Sequence, residues 1–313
     1  MKARRSAAAS GTLSDARSGA RSVAITGAAG RLGSALAPAF EAAGWDVHRW
    51  SRPAYDLDDP AAAARRLAAD RVDLVVHCAA WTDVDGAARD PALAMRRNGA
   101  AVGELAEACR RRNVSLVLIS TNEVFDGRRT DGRGYAEADP PSPGNPYGAS
   151  KLAGEEAASA AFGADESEAH LWIVRTAWLY GPPGNDFPAR ILAAADRLPA
   201  GEPLRVVTDE VGSPTYAPDL AAAIVLLVAG AAPGAYHLAN GGRASRADWA
   251  RAVLAGCGRD REIDPIRQSD YVRPSRAPAW AVLDTGTAAR AGVSLRDWQE
   301  ALADYLSELC SSR

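Results

Sequence analysis

Residues 23–33 are Val-Ala-Ile-Thr-Gly-Ala-Ala-Gly-Arg-Leu-Gly, a short apolar run followed by three glycines with two residues between each pair. The apolar run predicts a buried strand, and residues 31–43 have the pattern of a helix. Glycines at such a junction let the backbone turn tightly and approach a pyrophosphate, which then lies at the positive end of the helix. The spacing G-x-x-G-x-x-G in this position therefore predicts a dinucleotide-binding loop. The predicted cofactor-binding glycines of this loop are Gly27, Gly30 and Gly33.

Strands and helices alternate through the first half of the chain. Further strands are predicted at 46–50, 72–80, 115–120 and 172–176, with helices at 60–69, 91–112 and 147–161. This alternation indicates the α/β class, with a Rossmann-type doubly wound parallel sheet that binds ligands at the carboxyl ends of its strands. We expect a disordered tail over 1–21, an NAD(P)-binding Rossmann domain over 22–182 and a mainly substrate-binding lobe over 183–313. Some segments of that C-terminal lobe are expected to return to the sheet.

Charge and hydropathy exclude several classes of partner. The formal net charge is −3, made up of +4 in residues 1–21 and −7 in the rest of the chain. An acidic body argues against nucleic acid, because phosphate binding needs a basic surface. No apolar run approaches the length of a membrane helix, and the Arg-rich first residues lack the apolar stretch of a secretory signal. We expect a cytoplasmic protein, with an organelle-type presequence as the alternative interpretation of the tail.

The four cysteines and four histidines are scattered along the chain. They form no C-x-x-C pair and no spacing typical of zinc ligands. The sequence therefore predicts neither a metal site nor a disulfide framework.

Lysine is almost absent from this chain. Of 36 basic residues only Lys2 and Lys151 are lysines, and Lys151 follows Tyr147 by four residues, which places both side chains on one face of a helix. A nearby ammonium favours the phenolate and lowers the pKa of a tyrosine, so the pair suits proton transfer. Chance spacing in an amphipathic helix is the alternative. Thr121, at the end of the fourth strand, completes the predicted catalytic set, and Tyr147 and Lys151 are also expected to contact the cofactor.

The end of the second strand indicates which dinucleotide binds. An acidic residue there would hold the ribose hydroxyls, whereas an arginine suits a 2′-phosphate. Residues 50–53 are Trp-Ser-Arg-Pro, without a carboxylate. Arg52 therefore favours NADPH, with NADH as the alternative cofactor.

Longer motifs give the chain a family resemblance. They are His-Cys-Ala-Ala-Trp-Thr-Asp-Val-Asp at 77–85, Ser-Thr-Asn-Glu-Val-Phe-Asp-Gly at 120–127, the helix at 147–155, Arg-Thr-Ala-Trp-Leu-Tyr-Gly at 175–181, Gly-Ser-Pro-Thr-Tyr-Ala at 212–217, Tyr-His-Leu-Ala at 236–239, Leu-Asp-Thr at 283–285 and Asp-Trp at 297–298. With these motifs the chain resembles the extended short-chain dehydrogenases, and among them the dTDP-4-dehydrorhamnose reductase family.

The resemblance implies hydride transfer from a nicotinamide to the C4 ketone of a nucleotide-linked sugar, with Tyr147 supplying the proton. It places Gly30, Arg31 and Leu32 at the cofactor pyrophosphate, Asp56 and Leu57 beside the adenine, and Ala79, Ala80 and Trp81 beside the ribose and nicotinamide. It also places Thr121, Asn122 and Trp178 at the sugar, and Arg273 near the nucleotide diphosphate. A nucleotide sugar is thus the expected partner, and a homodimer is the oligomer under consideration.

The sequence departs from the family's motifs at two places that the resemblance puts close to the sugar. The family commonly has Asp-Tyr where this chain has Asn122 and Glu123, and asparagine where it has Asp186. Two other functions stay open. One is a nucleotide-sugar epimerase, which shares the loop and the Tyr-Lys pair. The other is a non-catalytic regulatory subunit similar to that of methionine adenosyltransferase, because a fold alone does not determine function.

Overall fold

The computed structural model describes residues 20–163, 168–199 and 201–311. The tail predicted over 1–21 lies outside these residues, apart from Ala20 and Arg21. Within them the strands are β1 Ser22–Thr26, β2 Asp46–Trp50, β3 Leu74–His77, β4 Ser115–Thr121, β5 Leu171–Thr176, β6 Leu179–Tyr180, β7 Leu204–Val207, β8 Val211–Gly212, β9 Thr215–Tyr216, β10 Gly234–His237, β11 Ala244–Ser245, β12 Ile263–Ile266 and β13 Trp280–Ala281.

The helices are α1 Arg31–Ala42, α2 Ala62–Ala69, α3 Val84–Arg89, α4 Pro91–Ala94, α5 Ala101–Arg111, α6 Pro146–Phe162, α7 Phe187–Arg197, α8 Ala217–Gly230, α9 Arg246–Gly256, α10 Gly286–Arg290 and α11 Trp298–Ser311. Short 3₁₀ turns cover Asn122–Val124 and Gln268–Asp270. No helix of the described ranges is long and apolar enough to cross a membrane.

Six strands form one parallel sheet in the order β10-β5-β4-β3-β1-β2. The predicted α/β class with a doubly wound parallel sheet is confirmed. Strand β10 comes from the C-terminal part of the chain and pairs with β5, so that part does contribute to the sheet. Strand β2 lies on one side of β1, whereas β3 and the strands after it lie on the other side. Such a switch point, here between β1 and β3, opens a crevice at the carboxyl ends of the strands.

The central strands β1, β3, β4 and β5 are buried on both faces, which explains why they are largely apolar. Helices α1 and α8 cover one face through residues such as Phe40 and Ile224. Helices α2, α5 and α6 cover the other, where Leu105 and Ala158 pack near Trp50. A separate core between α7, α9 and α11, centred on Trp249, holds the smaller part together.

The helix predicted over 91–112 is not a single α-helix. Residues Met95–Ala100 form a π-helical turn between α4 and α5. At this turn the buried Asn98 receives a hydrogen bond from Trp81 N at 2.8 Å and donates to Trp81 O and Ser150 Oγ at 3.0 Å each. The widened turn thus places one amide between the loop after β3 and helix α6, which is typical of π-bulges near functional sites.

The sequence predicted no disulfide framework, but one pair of cysteines is bonded. Cys257 and Cys310 are joined by a disulfide, with their Cα atoms 5.8 Å apart. They lie 53 residues apart in sequence, at the ends of the packed helices α9 and α11. Sequence spacing could not indicate this pairing because it depends on how two distant helices pack.

A buried ion pair attaches α6 to the sheet. Arg175 of β5 contacts Glu155 of α6 through Nε–Oε1 at 3.0 Å and Nη2–Oε2 at 2.7 Å, and the side chains are only 7% and 5% exposed. Ser120 of β4 also donates a hydrogen bond to Glu155. Two adjacent strands are therefore linked to the same carboxylate of the helix.

We expect Arg175→Met to lower the free energy of unfolding by about 3–5 kcal/mol, because it leaves a buried carboxylate without its partner. Urea denaturation followed by circular dichroism measures this change. Arg205→Met is the matched control, since Arg205 and Asp264 form a pair whose side chains are 64% and 48% exposed, and we expect a change of no more than about 1 kcal/mol there. Equal losses in both variants would show that the buried pair has no special role.

Candidate active site

A cavity of about 780 Å³ lies at the carboxyl edge of the sheet. Its walls come from the loop after β1, the ends of β2 to β5, the start of α6 and the start of α9. All the predicted site residues line it except Arg273.

The glycine-rich loop after β1 lies close against the backbone of the loop that follows β3. Gly27 has a φ of +61°, and a Cβ there would meet the backbone N of Ala79 at 2.9 Å. A Cβ on Gly33 would lie 2.4 Å from the carbonyl oxygen of Gly27. Gly30 is the N-cap residue of helix α1 and has no side chain to cap the free N–H groups of the first turn. The loop therefore leaves space and unpaired donors at a positive helix end, and these fit the pyrophosphate of a dinucleotide.

Arg52, Asp56 and Leu57 line one end of the cavity. Their place beside the adenosine part of the cofactor stays a prediction. Arg52 is exposed. Arg97, which the sequence analysis missed, lines the same region. Its Nε donates to Asp58 at 2.8 Å and its guanidinium lies 5.6 Å from the Trp81 ring centroid. It belongs to the π-helical turn, whose position the residue types did not indicate.

Hydrogen bonds with Thr26 and Asn98 hold the loop after β3 in position. The backbone N–H groups of Cys78 and Ala79 each donate to Thr26 Oγ1 at 3.1 Å. Together with the Asn98 contacts to Trp81, these bonds hold Ala79, Ala80 and Trp81 along the cavity wall. Their predicted place beside the ribose and nicotinamide stays a prediction.

Helix α6 brings the predicted catalytic residues together. Its N-cap residue, Asn145, accepts a hydrogen bond from Gly148 N at 2.8 Å, and Pro146 occupies the first turn. Tyr147 and Lys151 both line the cavity with 9% and 5% exposure. Thr121, the last residue of β4, is hydrogen-bonded to the Tyr147 phenol. Lys151 Nζ donates to the Ile119 carbonyl at 2.7 Å.

Burial controls the pKa values of both groups. Burial and the neighbouring Glu123 carboxylate raise the pKa of Tyr147, while its hydrogen bond with Thr121 opposes them. Burial lowers the pKa of Lys151 to about 8, against the opposing effect of Glu155. The expectation that Lys151 lowers the pKa of Tyr147 is therefore wrong in this structure, because desolvation dominates. A phenol that keeps its proton at neutral pH is suited to donate it.

The far end of the cavity is built around Trp178. Its backbone adopts a φ of +43°, which is uncommon for a residue with a large side chain. The indole packs on Gly212, where a Cβ would approach Trp178 Cε2 to 2.5 Å. Asn122 lies in the same wall. Two further lining residues, Glu123 and Arg246, were not predicted as site residues.

Arg273 is the one predicted site residue outside the cavity lining. Its Nε donates to Asp85 Oδ1 at 3.0 Å, and Asp85 also accepts from Ser275 N at 3.1 Å. Its role at a nucleotide diphosphate stays a prediction.

These features define a class of protein. A glycine-rich loop at the switch point of a parallel sheet and a buried Tyr-x-x-x-Lys helix beside a strand-end threonine are the arrangement of an extended short-chain dehydrogenase/reductase. The comparisons then narrow the class. The family model described as the RmlD substrate binding domain matches residues 21–311, and the chain belongs to this family, that of the dTDP-4-dehydrorhamnose reductases.

Individual relatives agree with this family. The dTDP-4-dehydrorhamnose reductase of Mycolicibacterium smegmatis is 40% identical over 293 residues, covering 92% of this chain and 86% of that protein. The crystal structure of dTDP-4-dehydrorhamnose reductase from Bacillus anthracis in complex with NADP is 30% identical, with a TM-score of 0.85 over 92% of this chain and 99% of that chain. UDP-glucose 4-epimerase of Thermus thermophilus in complex with NAD is also similar in fold, at 25% identity and a TM-score of 0.80 over 93% of this chain and 100% of that chain.

The lowered pKa of Lys151 predicts how stability depends on pH. Between about pH 8 and pH 10 the unfolded chain binds this proton and the folded protein does not, so the free energy of unfolding rises with pH. The contribution of one proton is at most about 1.4 kcal/mol per pH unit. Lys151→Met removes it.

Urea denaturation of the cofactor-free wild type and Lys151→Met at several pH values in this window measures the difference. We expect the wild type to gain stability relative to the variant as pH rises. Parallel curves would mean that the folded protein keeps this lysine charged throughout.

Proposed function

We propose that this protein reduces the C4 ketone of a nucleotide-linked 4-keto-6-deoxyhexose with NADPH, converting dTDP-4-dehydrorhamnose to dTDP-L-rhamnose. The observation that carries the proposal is the junction of Thr121, Tyr147 and Lys151 in one cavity with the glycine-rich loop. The relatives named as dTDP-4-dehydrorhamnose reductases support the substrate, and the NADP bound to the Bacillus anthracis enzyme supports the cofactor.

The chain's residues divide the work of this reaction. The bound nicotinamide supplies the hydride. Thr121 and Tyr147 hold the carbonyl oxygen between them, and the protonated phenol gives its proton to that oxygen as negative charge develops on it. Lys151 lies one helical turn from the phenol, where an ammonium stabilises the phenolate that remains. The loop around Gly30 holds the pyrophosphate, and Trp178 packs against the sugar.

Three further expectations stay predictions. They are the cytoplasmic location, the homodimer and the division of the chain into a cofactor domain and a substrate lobe near residue 182.

Tyr147→Phe should lower kcat by about 10²–10⁴-fold, since it removes the proton donor and leaves the ring in place. The assay follows NADPH absorbance with enzymatically prepared dTDP-4-dehydrorhamnose, and binding of NADPH is measured by its fluorescence. Tyr236→Phe is the matched control, because that hydroxyl bonds the Ala232 carbonyl at 2.8 Å and does not line the cavity.

The same assay separates the alternatives. An epimerase would convert its sugar without net consumption of NADPH. A regulatory subunit would oxidise no NADPH, and its effect on a partner enzyme would be indifferent to Tyr147→Phe. Either result would contradict the reductase proposal.

Arg52→Ala tests the choice of dinucleotide. If Arg52 contacts the 2′-phosphate, the variant should raise the KM for NADPH about tenfold, the loss of one charge-assisted contact, and change the KM for NADH less than about twofold. Arg49→Ala serves as control, since Arg49 is also exposed on β2 but pairs with Glu41 at 2.8 Å. Equal effects on both cofactors would place the 2′-phosphate elsewhere.

A further inference from the structure

Glu123 and Arg246 line the sugar end of the cavity but have no part in the mechanism above. Glu123 follows Thr121 by two residues in the 3₁₀ turn after β4. Its Oε2 accepts a hydrogen bond from Asn145 Nδ2 at 2.7 Å. Its other carboxylate oxygen has no hydrogen-bond partner among the described residues, so one acceptor remains for a ligand.

Arg246 is held in place on two sides. Its Nε donates to Glu210 Oε2 at 3.3 Å, and its guanidinium carbon lies 3.5 Å from the ring centroid of Trp178. The two terminal nitrogens donate to no other group in the part of the chain that the structure describes. A guanidinium fixed by stacking and by one carboxylate thus offers oriented donors at the sugar end of the cavity.

Glu123 and Arg246 interact electrostatically without forming a direct ion pair. They form no ion pair within 4.0 Å in the described ranges, yet Arg246 lowers the pKa of Glu123 against the larger raising effect of burial. Glu123 likewise opposes the fall in the pKa of Arg246, which burial brings to about 10. Because both residues line the same cavity and form no ion pair, a free donor and a free acceptor face it together.

The hydrogen-bonding capacity of the two side chains indicates which ligand group can bind to both. A hydroxyl group accepts from a guanidinium and donates to a carboxylate, whereas an ammonium only donates and a phosphate only accepts. A phosphate would also be repelled by Glu123. Glu123 acts electrostatically on Tyr147 and is two residues from Thr121, so the hydroxyl that arrives here is the neighbour of the reacting carbonyl. In a 4-keto-6-deoxyhexose that neighbour is the C3 hydroxyl.

We propose that Glu123 and Arg246 form a recognition pair for the C3 hydroxyl and so restrict the substrate to 4-keto sugars that carry it. This inference rests on the proposed function. It assigns specificity to a position where the family commonly has a tyrosine.

Wild-type enzyme is assayed first, with two synthetic substrates: the dTDP-4-keto-6-deoxyhexose and its 3-deoxy counterpart. We expect kcat/KM to be at least about 100-fold higher for the hydroxylated sugar, because the bound 3-deoxy sugar covers both charged groups and leaves their free donor and acceptor unpaired. Reduction of both sugars with equal kcat/KM would overturn the recognition pair and leave the proposed function intact. Reduction of neither would overturn both.

Variants then assign the effect to these residues. Glu123→Gln keeps an oxygen for Asn145 but removes the free acceptor, and Arg246→Gln shortens and neutralises the donor. Each should lower kcat/KM for the hydroxylated sugar about 10–100-fold and for the 3-deoxy sugar less than about threefold, so the discrimination between the two sugars shrinks.

Glu41→Gln, on the distant surface of α1, is the control and should leave both values unchanged. Melting temperature and NADPH binding show that the variants are folded. If the variants lose activity equally on both sugars, Glu123 and Arg246 have only a structural role and the proposal fails.

Discussion

The site depends on the buried contact between Arg175 and Glu155. Burying an ion pair costs much of what its mutual attraction returns, so its net contribution to stability is small even though breaking it is expensive. Its effect is positional. Arg175 and Ser120 lie on adjacent strands and bind the same carboxylate of α6. These contacts fix both the rotation of α6 about its own axis and its position along the strands. Lys151 lies one turn before Glu155 on that helix, and Tyr147 one turn before Lys151, so the reacting face of the helix is set by a contact beneath it.

The same burial that fixes the helix also tunes its chemistry. Desolvation raises the pKa of the phenol and lowers that of the ammonium, so both groups move toward their neutral forms. A neutral phenol is the form that a reduction requires, because the product oxygen must gain a proton. Lys151 meanwhile bonds the Ile119 carbonyl. The phenol and the ammonium are therefore already oriented before the reaction. Negative charge develops beside them only when the substrate oxygen gains electrons during hydride transfer.

Local patterns in the sequence were enough to predict the parallel sheet and the glycine-rich loop that lines the cavity. Buried strands are apolar runs, and the glycine loop lies within a dozen residues, so each signal is contained in one window. Features made by distant segments were missed. The π-helical turn around Asn98 forms because its side chain meets Trp81 and Ser150, and Arg246 reaches the cavity only because α9 packs beside Trp178. The direction of the pKa shift of Tyr147 was also wrong, since spacing gives the neighbour but not the degree of burial.

This difference between the two ends of the cavity has a consequence for how such a fold changes its substrate. The groups proposed to handle the cofactor and the proton come from β1 through α6, where the central strands β1, β3 and β4 are buried on both faces. The groups at the sugar end come from separate pieces of chain: the turn at Asn122–Val124, Trp178 after β5 and Arg246 on α9. Under the proposed function, we expect replacement of side chains there to alter which sugar is recognised and to leave Tyr147 in place. Reductases and an epimerase share this architecture, as expected if the identity of the substrate is determined where the chain segments are least constrained by the sheet.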